Sequence, residues 1–158
     1  MRHDFAEYLY ELMKENPDIW LITGDLGFGL FDKIREDYPD RFLNTGAAEF
    51  SMMDIAVGLA LNGKIPVVYS ITPFLIYRAF EVIRTYINHE SIPVIMIGGG
   101  RNDDYKHDGY SHYAGDDKGF MNKFHNISSY WPKSNERARE HLRNAIQDNV
   151  PVYINLVR

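Results

Sequence analysis

The sequence predicts an α/β protein, a three-layer sandwich in which a mostly parallel central sheet is flanked by helices. The predicted strands are apolar at consecutive positions, as in PVVYS (66–70) and PVIMIG (93–98), which is typical of strands buried on both faces. Amphipathic segments of helical period alternate with these strands along the chain. The alternation favours a parallel sheet covered by helices on each side.

The elements follow one another in a regular order. A helix is expected over residues 3–16 because apolar side chains recur on one helical stripe, and Asn16-Pro17 stops it. Strands of consecutive apolar residues and helices with recognisable ends continue the pattern. These are the strand 19–22, the strand 41–46, the helix 49–62 ended by Gly63, the strand 66–70, a helix from about 73 to 89, and the strand 93–98.

The regular alternation is interrupted after Gly98 by a stretch rich in Gly, Asp and Tyr that extends to Asp117. An ordered domain usually keeps so long a loop only for function, so we expect a binding loop. Order resumes with a strand at 125–131 and a helix from Ser134, its expected N-cap, to Asn149. The last expected strand is 150–157.

Composition limits the functional classes. A length of 158 residues with 45% hydrophobic and 25% charged residues predicts one domain, residues 1–158. A net charge of −5 leaves no basic footprint for nucleic acid, and the absence of Cys excludes disulfides and Cys-based zinc sites. No apolar run approaches membrane-spanning length, and the acidic N-terminal segment has no export signal. We therefore expect a soluble cytoplasmic protein.

The candidate site residues follow the strands, where parallel sheets bind ligands. Glu49 lies in the first turn of a helix, where a carboxylate can serve the helix dipole alone. Asp25, in GDLGFG, can be a simple turn former, and its glycine spacing is not that of a dinucleotide-binding fingerprint. Aromatic residues at helical spacing are most often core, which is our expectation for Phe80.

The polar loop contains His107, Asp108 and His112, residue types that can bind metal. No strand or helix fixes a ligand spacing among them, so a solvated loop is the simpler interpretation. We expect no metal site in this chain.

Together, several segments resemble the central, pyrimidine-binding domain of transketolases, and the similarity covers nearly the whole chain. The run FLNTGAAEFSMMDIAVGLALNGKIPVVYS resembles the family's strand, glutamate element and Gly-Leu-Ala helix. RAFEVIR resembles Arg-Ala-Phe-Asp-Gln-Ile-Arg, HDGYSHYAGDD resembles the Glu-Asp-Gly-Pro-Thr-His loop, and PVYINLVR resembles the last strand. The sequence differs from the family pattern where Phe50 replaces a Gln and Tyr110 replaces the loop proline.

The resemblance implies that the protein uses thiamine diphosphate and that Glu49 is catalytic. In the family the corresponding glutamate donates a hydrogen bond to a ring nitrogen of the aminopyrimidine and favours the imino tautomer that removes the thiazolium C2 proton. That role requires a protonated carboxyl, so burial has to raise the pKa of Glu49 against the opposite effect of the helix N-terminus.

The resemblance also implies roles for other residues. Phe74, or else Tyr77 or Leu75, is expected to stack on the pyrimidine, with Phe74 ranked first, and Asp25 is expected near the thiazolium. His112 is expected to be catalytic and, with Asp108, to bind sugar hydroxyls. The expected ligand of the sugar phosphate is Arg158.

The family's diphosphate and magnesium are held by a second domain marked by Gly-Asp-Gly, which this sequence lacks. Gly115-Asp116-Asp117 follows no buried strand and falls within the loop match, so we do not assign it that role. We expect a companion chain that carries this domain and Mg²⁺, in a hetero-oligomer built on dimers that acts on sugars or sugar phosphates. The resemblance thus implies a subunit of a split transketolase that transfers a two-carbon ketol unit between sugars. The alternatives are the short subunit of a two-chain 2-oxo acid decarboxylase and a non-catalytic scaffold or regulatory domain.

Overall fold

A six-stranded sheet, parallel throughout, organises the chain, and the computed structural model describes residues 1–158. The strand order is β2-β1-β3-β4-β6-β5, and each neighbouring pair is parallel. The strands are β1 (Ile19–Thr23), β2 (Phe42–Asn44), β3 (Ile65–Ile71), β4 (Ile95–Gly99), β5 (Ser128–Tyr130) and β6 (Val152–Leu156). The predicted fold class, a helix-flanked sheet, is confirmed.

Helices cover both faces of the sheet and bury two apolar cores of 18 residues each. The helices are α1 (Arg2–Glu15), α2 (Asp32–Asp37), α3 (Glu49–Leu61), α4 (Thr72–Arg78), α5 (Phe80–Val82), α6 (Asp117–Met121) and α7 (Asn135–Asp148). α1, α2 and α7 contribute buried residues to one core, whereas α3, α4 and α5 contribute to the other. The sheet is therefore buried on both sides, which explains its continuous apolar strands.

The helix expected from about residue 73 to residue 89 is interrupted. α4 ends at Arg78, Ala79 adopts φ −103° and ψ 20°, and a π-helical segment, Ile83–His89, follows α5. The prediction that Phe80 is a core residue is wrong, since Phe80 is 41% exposed and packs against Phe120 and Phe124. The break at Ala79 takes Phe80 out of the helical periodicity on which that prediction relied.

The caps of α7 agree with the sequence prediction. The Ser134 hydroxyl accepts a hydrogen bond from the Arg137 backbone N–H, so it is the N-cap. Asn149 ends the helix in the left-handed conformation, with φ 50°. None of the helices has the length and apolar character that crossing a membrane requires.

The parallel arrangement brings the carboxyl ends of the strands to one edge of the sheet. At that edge β1 continues into Gly24 and Asp25, β2 into Thr45, β3 directly into α4, and β4 into the long polar loop. Segments far apart in the sequence therefore meet at one place, and the candidate site is built there.

Candidate functional site

Glu49 is the first residue of α3 and is only 2% exposed. Its Oε1 atom accepts a hydrogen bond from the buried Ser70 hydroxyl, at 3.4 Å. Its Oε2 atom accepts one from Nη1 of Arg78, at 2.9 Å. Gly24 leaves room beside the carboxylate, because a Cβ atom at that position would lie 3.4 Å from Oε1 of Glu49. A buried acidic group therefore lies at the ligand-binding edge of the sheet.

The Arg78 guanidinium connects Glu49 to an aromatic surface. Its Cζ atom lies 3.7 Å from the centroid of the Phe74 ring, which is a cation–π contact. Phe74 and Arg78 are four residues apart on α4, so their side chains extend from the same face of the helix. The other neighbour of Phe74 is His112, with ring centroids 4.8 Å apart. Arg78, which has no predicted role, thus connects the predicted site residues Glu49 and Phe74, and Phe74 in turn contacts a third, His112.

Asn44, at the end of β2, fixes the adjoining loops. Its Oδ1 atom accepts hydrogen bonds from the backbone N–H groups of Asp25 and Gly46, both at 2.9 Å. Asp25 has a φ of 53°, a left-handed conformation that Asp tolerates better than most residues. Asp25 directly follows Gly24, the neighbour of Glu49, and its side chain is exposed. The turn at Asp25 and the Glu49 carboxylate therefore lie at the same edge of the sheet, the one formed by the carboxyl ends of the strands.

The polar loop after β4 contains local structure and contacts Phe74. An antiparallel bridge between Asn102 and Ala114 pairs its two ends. Between them are two 3₁₀ turns, Lys106–Asp108 and Tyr110–His112. The second turn carries His112 to Phe74, so this segment contributes directly to the candidate site.

A buried polar network anchors this loop to the sheet. One carboxylate oxygen of Asp117 accepts hydrogen bonds from the Trp131 indole, the Tyr153 hydroxyl and the Asn155 amide, each at 2.8 Å. Burial raises the pKa of Asp117, while the hydrogen bonds from Trp131 and Tyr153 lower it and only partly offset that effect. Arg101 adds a hydrogen bond to the Asn155 side chain, at 2.9 Å. The loop is therefore held at both of its ends.

Four other predicted site residues have different surroundings. Leu75 is fully buried in the apolar core, and Tyr77 packs edge-on against Phe120 on the side of α4 that faces α6. Asp108 pairs with His107 at 3.3 Å. The Arg158 guanidinium lies 5.1 Å from the centroid of the Tyr105 ring, and Tyr105 neighbours His112 at 6.4 Å. Asp108 and Arg158 therefore lie on or against the loop, whereas the contacts of Leu75 and Tyr77 are with the apolar core and with Phe120.

The sequence pattern assigned no role to Arg78 or Asp117. Arg78 lies within RAFEVIR, and its spacing of four residues from Phe74 was an available signal. Asp117 had no comparable signal, because its partners at residues 131, 153 and 155 meet it only through the fold. No group of three or more His, Asp or Glu side chains is arranged to hold a metal ion.

Comparison with known protein families identifies one family over the whole chain. The family model described as "Transketolase, pyrimidine binding domain" matches residues 1–158. This match rests on the amino-acid sequence alone and makes no use of the distances and contacts within the site.

Individual relatives agree with that match. The chain is 36% identical to a protein of Actinobacillus succinogenes named as one of the subunits of apulose-4-phosphate transketolase, over 121 residues, 77% of this chain and 39% of that protein. It is 25% identical to 6-deoxy-6-sulfo-D-fructose transketolase subunit SqwH of a Clostridium species, covering 100% of this chain and 49% of the relative. The chain thus spans half or less of the length of these relatives.

A solved structure described as "Split gene transketolase, inactive beta4 tetramer" superposes with a TM-score of 0.87 at 31% sequence identity. The match covers 99% of this chain and 51% of the other. The two folds are therefore the same over the length of the present chain.

Proposed function

The chain belongs to the family of transketolase pyrimidine-binding domains, and on this basis we propose that it is a subunit of a split transketolase. In this proposal the complete enzyme uses thiamine diphosphate and transfers a two-carbon ketol unit between sugars. Two relatives named as transketolase subunits for apulose-4-phosphate and 6-deoxy-6-sulfo-D-fructose support a sugar or sugar-derivative substrate.

The observation that carries the proposal is the Glu49 carboxyl group, which is buried at the carboxyl edge of a parallel sheet and is connected through Arg78 to the Phe74 ring. A carboxyl used only to complement a helix dipole does not need to be buried, because the dipole acts on exposed groups as well. Burial of an acid is unfavourable and is typical of sites where the acid holds a ligand or moves a proton. Glu49 therefore suits a ring nitrogen that has to receive a hydrogen bond.

The residues present fit the pyrimidine half of the cofactor. A planar aminopyrimidine needs an aromatic face and a carboxyl partner, and the face of Phe74 and Oε2 of Glu49 already hold one planar group, the guanidinium of Arg78. When bound, thiamine diphosphate supplies the carbon nucleophile of ketol transfer. Glu49 contributes by holding a proton at the ring nitrogen, and Ser70 contributes by hydrogen-bonding the other carboxyl oxygen.

The remaining site residues take proposed roles according to their positions. Phe74 is the ring that stacks on the pyrimidine, and Asp25 approaches the thiazolium from the neighbouring turn. Tyr77 and Leu75 are secondary candidates for cofactor contact, because Tyr77 packs against Phe120 and Leu75 is fully buried in the apolar core. His112 acts on the substrate, Asp108 contacts its hydroxyls, and Arg158 binds its phosphate; the position of these residues on or against the loop supports this grouping.

A companion chain is part of the proposal. It would supply the Gly-Asp-Gly domain that holds the diphosphate through Mg²⁺, since relatives named as subunits imply further subunits. The exposed apolar residues of α3, which include Phe50, Ile55 and Leu61, support a docking surface next to Glu49. The same surface is compatible with assembly into dimers, and an "inactive beta4 tetramer" in the structural relative agrees with a need for a second chain.

Substitution of Glu49 by Gln tests the proposal in the complex with the companion chain. Gln keeps the shape of the side chain but cannot cycle a proton with the ring nitrogen. We expect exchange of the thiamine C2 proton, measured by NMR after acid quench, to slow by roughly 10²–10⁴-fold. Folding should change little, because the Gln amide oxygen can still accept a hydrogen bond from Arg78. A purely dipolar role for Glu49 would instead cost about 0.3–1 kcal/mol of stability and leave exchange unchanged.

The matched control is Glu15→Gln, the same substitution at an exposed carboxylate at the end of α1, which should leave exchange unchanged. Wild-type exchange in the Glu49→Gln complex would leave Glu49 with a structural role and favour a scaffold. A complex that decarboxylates 2-oxo acids and does not transfer ketol units would favour the two-chain decarboxylase.

A further inference from the structure

The Arg78 guanidinium occupies the space between Glu49 and Phe74. It donates a hydrogen bond to Oε2 of Glu49 at 2.9 Å, and its Cζ atom lies 3.7 Å from the centroid of the Phe74 ring. One planar group thus satisfies a buried carboxylate and an aromatic face at the same time. Both contacts are the ones that the proposed function assigns to the aminopyrimidine.

The two members of this ion pair differ in their freedom to move. The Glu49 side chain is 2% exposed and begins a helix, whereas the Arg78 side chain is 46% exposed and ends one. A buried carboxylate without a partner is strongly unfavourable, so Glu49 needs some partner whenever the chain is folded. Arg78 can move into solvent or towards the last carbonyl groups of α4, where a cation is favoured.

From this asymmetry we infer that Arg78 is an internal stand-in for the aminopyrimidine. In the free subunit its guanidinium fills the pyrimidine position and satisfies Glu49, and cofactor binding displaces it. This inference rests on the proposed function and adds a residue that opposes cofactor binding. The inference depends on the planar shape of the guanidinium. A guanidinium can stack on an aromatic ring, whereas the compact ammonium group of Lys cannot.

Substitution of Arg78 by Met tests the inference, since Met keeps much of the apolar stem and removes the guanidinium. Calorimetry with thiamine diphosphate and magnesium is performed on the complex of each variant with the companion chain. We expect the Arg78→Met complex to bind the cofactor about tenfold more tightly, which is about 1.4 kcal/mol. Arg84→Met is the matched control, because Arg84 is an exposed arginine on the following π-helical segment. The Arg84→Met complex should bind the cofactor with the same affinity as the wild-type complex.

A second measurement follows the guanidinium itself by NMR in the wild-type complex. The Nε–Hε signal of Arg78, assigned by its absence in Arg78→Met, should shift when the cofactor is added. A signal that stays unchanged on saturation with cofactor would overturn the inference, because the guanidinium would then not have moved.

The affinities separate failure of this inference from failure of the proposed function. Weaker or unchanged cofactor binding by Arg78→Met, with wild type binding normally, overturns the inference alone. Such a result would mean that the Arg78 guanidinium stays bonded to Glu49 beside the bound aminopyrimidine, or that it stabilises the cofactor-bound complex. If no complex binds thiamine diphosphate at all, the proposed function fails and the inference fails with it.

Discussion

Asp117 is a buried carboxylate at the point where the polar loop passes into α6. It is 2% exposed, and one oxygen accepts hydrogen bonds from Trp131, Tyr153 and Asn155. The three donors come from β6 and from the segment after β5, whereas Asp117 begins α6 at the end of the polar loop. A single carboxylate therefore joins the loop that carries His112 to the edge of the sheet.

We expect Asp117→Ala to destabilise the fold by about 3 kcal/mol, because it leaves buried donors without an acceptor. Asp117→Asn should cost less, since its amide oxygen can still accept. Burial raises the pKa of Asp117 above its ordinary value of 3.8, so the contribution of this group is complete below that pH and declines as pH rises through the folded-state pKa.

Urea unfolding at several pH values measures both effects. The stability difference between wild type and Asp117→Asn should shrink as pH rises from about 4 towards 7, because Asn does not ionise. A difference that widens with pH would show that the three hydrogen bonds outweigh burial.

At the level of elements, α3 exposes large apolar side chains to solvent in addition to those that it buries in the core. Met52, Met53, Ala56 and Val57 fill the core, yet Phe50 is 45% exposed and Leu61 is 69% exposed. Phe50 and Leu61 are separated by about three turns, so they lie on the same side of the helix. A helix that is apolar on most of its sides is usually buried, which supports the proposal that α3 is covered by another chain.

Phe50→Glu should therefore weaken binding of the companion chain at least about tenfold, because a charge replaces an aromatic side chain at the centre of the expected contact. The association constant can be measured by calorimetry or sedimentation. Val150→Glu is the control, since Val150 is also exposed, at 39%, but lies two residues before β6, at the amino ends of the strands. The docking surface is misplaced if Val150→Glu impairs assembly and Phe50→Glu does not.

At the level of the whole molecule, the site is open on the side that a second chain would cover. Glu49, Phe74 and His112 lie at one edge of the sheet, where Phe74 and the loop around His112 are accessible to solvent. The chain spans 39% and 49% of the two relatives that are named as transketolase subunits. Its share of the proposed site is the pyrimidine half.

The isolated chain should accordingly bind thiamine diphosphate weakly and show no ketol transfer, because in the proposed function the contacts to the diphosphate belong to another chain. Addition of the companion chain should restore both properties, whereas the companion alone should show no transfer. Calorimetry and a ketol-transfer assay provide the measurements. Tight, magnesium-dependent cofactor binding by this chain alone would contradict a divided site.

The sequence by itself determined the fold class, the strands and the position of Glu49, because hydrophobic period and helix caps are local properties. Thus the strands at 66–70 and 93–98 and the N-cap Ser134 agree with prediction. The break at Ala79, the exposure of Phe80 and the partners of Asp117 were decided by tertiary structure. The contact of Arg78 with Glu49, 29 positions apart, was decided in the same way, since the meeting of two side chains depends on how strands and helices pack.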